Sequence, residues 1–155
     1  MESPTFDAAS RKILRELQRN SRISTNELAD KVGMSATPCW RRQKELEEKA
    51  VIVRYAAIVD RCKIDLSQCC LLHISLTRHD ASVVATFEEA MKLRPEVMEC
   101  YEVTGSSDYM AKLVVADMNA YHDFLHNVLL KLPGVSQVNT SVALREVKYE
   151  TALPL

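Results

Sequence analysis

The chain has 155 residues, 47% of them hydrophobic, with 20 Lys and Arg against 21 Asp and Glu, which admits one domain or two small ones. No apolar run approaches the roughly 18 residues that span a bilayer, and no charged-then-apolar leader opens the chain, so a soluble, cytoplasmic protein is expected. The near-neutral total hides an asymmetry: Met1 to Tyr55 carries a net charge of plus three and Ala56 to Leu155 minus four, so only the front half should be drawn to phosphate.

Phe6-Asp7 opens a first helix, with Asp7 as N-cap at the positive end of the dipole. Ile13, Leu14 and Leu17 form its apolar stripe and Asn20-Ser21 ends it. Ser24 with Glu27 three residues later is a capping box, so a short second helix begins there. Leu28, Ala29 and Val32 share one face of it, and Gly33 supplies a left-handed ending. Ser35 is then placed as the cap of a third helix, with Pro38 in its first turn, where a missing amide costs little.

Helices separated by only Gly33 and Met34 must cross steeply, which is helix-turn-helix geometry. The third helix turns Cys39, Arg42 or Gln43, and Leu46 inward. Its outward row is Ala36, Thr37, Trp40, Arg41 and Lys44, small and basic residues in the half of a recognition helix that reaches base edges. Arg41 can fork onto guanine or phosphate and Lys44 supplies a point charge. Trp40 can lie against sugar and phosphate or half-bury against a neighbour.

Ala50 to Val59 is β-branched enough for a strand, or for a short wing plus connector. Asp60 to Gln68 is polar and reads as the end of a linker. From Cys69 the period becomes two: Cys70, Leu72, Ile74 and Leu76 alternate with a mixed face of Leu71, His73, Ser75 and Thr77. A helix over Ala81 to Leu93 stops at Pro95, with Val83, Val84, Phe87, Ala90 and Met91 inward. Strands Val97 to Thr104 and Tyr109 to Ala116 follow, joined by Gly105-Ser106-Ser107-Asp108. Asp117 caps a helix with the stripe Tyr121, Phe124, Leu125, Val128 and Leu132. Pro133-Gly134 then turns the chain into a last strand, Val135 to Tyr149. This β-α-β-β-α-β order is that of a ferredoxin-like sandwich. Its second sheet face, left open by the helices, is expected to carry the remaining apolar side chains and to pair with a second chain.

The segments D-A-A-S-R-K-I-L-R-E-L-Q-R-N-S-R-I-S, S-A-T-P-C-W-R-R, V-M-E-C-Y-E-V-T-G-S-S-D-Y, L-P-G-V and T-A-L-P-L occur in that order. In them the chain resembles, along its whole length, the Lrp/AsnC (leucine-responsive and asparagine-responsive, feast/famine) family of transcriptional regulators. The resemblance implies an α+β protein: a winged helix-turn-helix over 1–55, a linker over 56–68, and a ferredoxin-like RAM domain over 69–155 that senses a free amino acid such as leucine or methionine. It implies double-stranded DNA as partner, dimers that assemble further into tetramers or octamers, and no cofactor. Carried over by position, DNA reading falls on Ser35, Thr37, Trp40, Arg41, Arg42 and Lys44. Effector binding falls on Gly105, Ser106, Ser107, Asp108 and Tyr109, with Thr140 nearby.

The chemistry of the loop agrees, because Asp108 can hold an ammonium while loop amides and hydroxyls hold a carboxylate. An ordinary hairpin turn, with Asp108 bonding its own backbone, is the other reading. Ala50 stands where the family usually has a glycine after the recognition helix, and the glycine common near Ile64 to Ser67 is missing.

Two rival functions carry less. An enzyme would need more than His122-Asp123-Phe124-Leu125-His126, two imidazoles one turn apart with no third ligand evident. The five cysteines are odd in number, contain no C-x-x-C pair, and read as small reduced residues. An amino-acid-binding module without DNA-binding activity is the alternative regulator, and the basic, doubly capped front half argues against it.

Overall fold

The computed structural model describes residues 7–77 and 80–155, and Phe6 lies outside them. The chain divides into two compact units, one of residues up to Ile58 together with Lys148–Leu155, the other Val59–Val147.

The first unit is three helices: α1 (Ala8–Arg19), α2 (Thr25–Val32) and α3 (Ala36–Glu48). Asp7 caps α1 by accepting from the Ser10 amide at 2.7 Å. The capping box on α2 is complete, with Glu27 N–H donating to the Ser24 hydroxyl at 3.3 Å and Ser24 N–H donating to the Glu27 carboxylate at 3.1 Å. Ile13, Leu14, Leu17, Leu28, Ala29, Val32, Cys39 and Leu46 form the buried core, the apolar stripes read from the sequence.

Both α2 and α3 end in the same motif. Met34 N–H reaches Ala29 O and Gly33 N–H reaches Asp30 O; likewise Val51 N–H reaches Leu46 O and Ala50 N–H reaches Glu47 O. These paired bonds are the Schellman arrangement, whose penultimate residue must be left-handed. Gly33 takes φ 72° and Ala50 takes φ 53°. The alanine therefore keeps the turn and carries the strain of a Cβ in that region, on the order of 1 kcal/mol. An Ala50→Gly protein is expected to be more stable by about 0.5–1 kcal/mol, read as a raised thermal midpoint. Farther on, Asp65 at φ 60° ends the 3-10 turn Arg61–Ile64, the left-handed role that a linker glycine would fill.

The β-branched run after Ala50 forms no strand; residues 53–60 have no regular structure. A strand needs a partner for its amides and carbonyls, and this run has none among the described residues. The last strand is also shorter than its sequence suggests, ending at Val142 rather than Tyr149. The final residues return to the first unit: Gln18 exchanges two hydrogen bonds with the Leu153 backbone, at 2.6 and 3.2 Å, and Arg15 donates to the Leu155 main-chain oxygen.

The second unit is β1 (Gln68–Leu76), α4 (Ala81–Lys92), β2 (Val97–Glu102), β3 (Tyr109–Val115), α5 (Met118–Asn127) and β4 (Val135–Val142). Its sheet has the order β2-β3-β1-β4 with every pairing antiparallel, the ferredoxin-like arrangement. Cys70, Leu72, Ile74 and Leu76 lie with Ala111 and Leu113 beneath Phe87, Met91, Phe124 and Leu129. The sequence stripe omitted Leu129, which is fully buried because α5 tightens into the 3-10 turn Leu129–Lys131; three residues per turn replace 3.6 there. The opposite sheet face is more mixed than expected. The register aligns Leu71, Met110 and Tyr101 on it with His73, Asn139 and the Lys112–Glu99 ion pair.

Candidate functional site

On α3, Ser35, Thr37, Trp40, Arg41 and Lys44 are all exposed and follow one helical stripe from the N-cap onward. Trp40 is 51% exposed, so its indole stands on the outward row. Ser35 occupies the N-cap position, yet its hydroxyl makes no capping bond. The cap read from the sequence is thus positional only, and the first-turn amides of α3 remain at the positive end of the dipole without a side-chain acceptor.

Arg42 is turned elsewhere. Its guanidinium donates to the Asp7 carboxylate at 2.5 Å, tying the recognition helix to the start of α1, so the structure does not bring it to the outward row. Glu47, near the C-terminal end of α3, organises its surroundings. It accepts from Lys44 at 2.6 Å, from Tyr55 at 2.9 Å and from Gln43 at 3.2 Å. The connector is held to α3 through Tyr55, and Lys44 is parked on a carboxylate. Arg41 has no hydrogen-bond or ion-pair partner among the described residues.

These contacts set an acid dependence. The Asp7 carboxyl is held below its ordinary range by the Ser10 amide first and by Arg42 further down, and Glu27 by the Ser24 hydroxyl. The Lys44 ammonium, then Tyr55, hold Glu47 down. A carboxylate depressed in the folded state stabilises it above the unfolded pKa and ceases to do so as pH falls through the folded value. The helical unit is therefore expected to lose stability below about pH 4, followed as falling thermal midpoints between neutral and acid pH; Asp7→Asn should flatten that slope.

In the second unit, Gly105, Ser106, Ser107 and Asp108 form the β2–β3 loop. Asp108 is pinned: its carboxylate accepts from the Leu76 amide at 2.7 Å and its own amide donates to Ile74 O at 3.0 Å. The amides of Gly105, Ser106 and Ser107 donate to nothing among the described residues. Gly105 has φ 123°, a conformation that a side chain would strain. A fixed carboxylate beside three unengaged amides can receive the two ends of a zwitterion.

Tyr109 and Thr140 do not join this group. Tyr109 is buried at the edge of the helix-covered core, its ring 4.6 Å from that of Phe87 and tilted 46° to it, with its hydroxyl donating to Glu88 at 3.1 Å. Burial, then that hydrogen bond, push its phenol up to about 12. Thr140 pairs with Leu72, whereas the loop end of β1 is at Ser75 and Leu76. That is about 10 Å along the strand, and its hydroxyl accepts from Tyr121 at 2.9 Å beneath α5. A concavity of about 400 Å³ between α4 and β2 is lined by Glu88, Glu99, Glu102, Met91 and Met98 among others; charged side chains there guard the free edge of β2.

Residues 69–153 match the profile described as the Lrp/AsnC ligand binding domain. The chain belongs to the Lrp/AsnC family. Residues 6–53 match a winged helix-turn-helix DNA-binding profile. The leucine-responsive regulatory protein of Haemophilus influenzae is 42% identical over 97% of this chain and 90% of its own length. The Bkd operon transcriptional regulator of Pseudomonas aeruginosa is 39% identical, over 97% of this chain and 98% of its own. A transcriptional regulator from Neisseria meningitidis, solved as its L-methionine complex, superposes with a TM-score of 0.92 at 34% identity over 97% of each chain. This Lrp/AsnC protein is thus a DNA-binding transcriptional regulator with a separate ligand-binding domain. The alternative of a ligand-binding module without DNA-binding activity is not favoured, because the helix-turn-helix profile matches in full view of the basic row. None of the described helices is long and apolar enough to cross a membrane.

Proposed function

We propose that this regulator binds a pseudo-palindromic operator as a symmetric dimer, with Thr37, Trp40, Arg41 and Lys44 of each α3 entering successive major grooves about 34 Å apart. The mixed open face of the sheet, with Leu71, Met110 and Tyr101, is the surface through which two copies pair. The effector is a free α-amino acid with an apolar side chain, leucine or methionine. Its ammonium lies against Asp108 and its carboxylate on the Gly105, Ser106 and Ser107 amides. The observation that carries this site is the pinned carboxylate beside three unengaged amides, and the L-methionine complex of the Neisseria relative supports the ligand class. Bound effector shifts which assembly is populated, and with it operator affinity.

Calorimetric titration with a panel of amino acids, with light scattering on the same samples, tests both parts. Binding of leucine or methionine with a change in mass supports the reading; binding of neither removes it. Asp108→Asn keeps the shape and one acceptor while deleting the charge, and is expected to weaken binding on the order of tenfold. An unchanged affinity in that variant would move the site away from the loop.

A further inference from the structure

The two imidazoles on α5 play no part in the regulator described so far. His122 and His126 lie one turn apart, with ring centroids at 4.3 Å and planes at 43°. Both are exposed, and neither has a hydrogen-bond or ion-pair partner among the described residues. Side chains at i and i+4 lie one above the other on a helix, and these two rings are in mutual contact rather than splayed. Two nitrogens on one ion at 2.0–2.1 Å stand about 3.3 Å apart in a tetrahedral site, a separation that rings at this spacing reach by small torsional adjustment.

The helix beneath them is fixed from several sides. Asp117 caps its start by accepting from the Ala120 amide at 2.8 Å, Phe124 is buried under it, and Tyr121 is bonded to Thr140. Little backbone ordering is left to oppose ligation. Neutral imidazoles select nickel, copper and zinc over magnesium and calcium. No group of three or more potential ligands occurs among the described residues, so the remaining positions belong to water and the site is a surface chelate rather than a closed structural one.

We propose that His122 and His126 form a two-point chelate for a divalent transition-metal ion on the outer face of α5. An ion held there cross-links the last turn of α5 immediately before the chain tightens at Leu129–Lys131, and so stiffens the element that covers Thr140.

The test is calorimetric titration of the full chain with nickel chloride and, separately, zinc chloride. One ion per chain is expected, with His122→Ala and His126→Ala each weakening binding on the order of tenfold or more. Exposed substitutions of this kind leave the fold intact, which circular dichroism verifies. Cys62→Ser, which removes the exposed thiol, should leave the affinity unchanged. No binding at millimolar metal, affinity in either alanine variant equal to that of the unsubstituted chain, or loss confined to Cys62→Ser would each overturn the proposal.

Discussion

A Leu28→Ala protein is expected to lose specific DNA binding because its helical unit unfolds, while amino-acid binding persists. Leu28 is fully buried at the crossing of the three helices, in a core of eight buried residues. Removing three carbons there forfeits their transfer free energy and leaves a cavity, together about 2–5 kcal/mol. A unit of this size has little more than that to lose. Each kcal/mol moves the midpoint of so small a domain by roughly 4–8 °C, so a drop of at least about 10 °C should appear in the transition that reports on the helices. The ligand-binding unit has its own cluster around Phe87, Ile74 and Leu113, and calorimetry with the effector should detect it intact. A parallel loss of effector binding would show instead that the two units unfold as one cooperative block.

What the sequence announces are the features whose signal is local. Asp7, the Ser24–Glu27 box and the Gly33 ending each need only residues within one turn, and all are realised. Ser35 shows the limit, since a capping residue in the right place need not turn its hydroxyl to the amides. The larger departures come from pairing over long range. The run after Ala50 has strand composition and no strand, because composition cannot supply a partner. The β2–β3 loop was legible in Gly105 to Asp108, whereas placing Tyr109 and Thr140 relative to it depends on the sheet register. Alternation indicates that placement: Tyr109 is in phase with Ala111, Leu113 and Val115, and Thr140 with Val138, so both side chains lie on the helix-covered face. The Arg42–Asp7 pair joins residues 35 apart in sequence; the helical period already sets Arg42 inward of Arg41, and only the carry-over by position groups it with the DNA-reading residues.

That separation makes Arg41→Ala the sharper of the two arginine substitutions. Arg41 stands exposed on the outward row of α3 with no partner to leave, so its whole donor fork is available to DNA. If it reads a guanine, its loss should cost about 1–3 kcal/mol on the preferred operator and flatten preference at one base pair. If it holds a phosphate, affinity should fall evenly on all sequences, and the slope of log affinity against log salt should shrink by about 0.9. Gel shifts on the operator and on a scrambled duplex, each at two salt concentrations, separate these outcomes. Arg42→Ala serves as the internal contrast. Its guanidinium is committed to Asp7, so its removal should lower the thermal midpoint of the helical unit and leave the salt slope unaltered. Arg41→Lys refines the first result, because lysine keeps the charge and loses the fork. Retained salt dependence with lost base preference in that variant would identify Arg41 as the residue that reads sequence. Lys44 is already paired with Glu47 and must leave that carboxylate before it can serve DNA, so Lys44→Ala is expected to weaken operator binding less than its charge suggests.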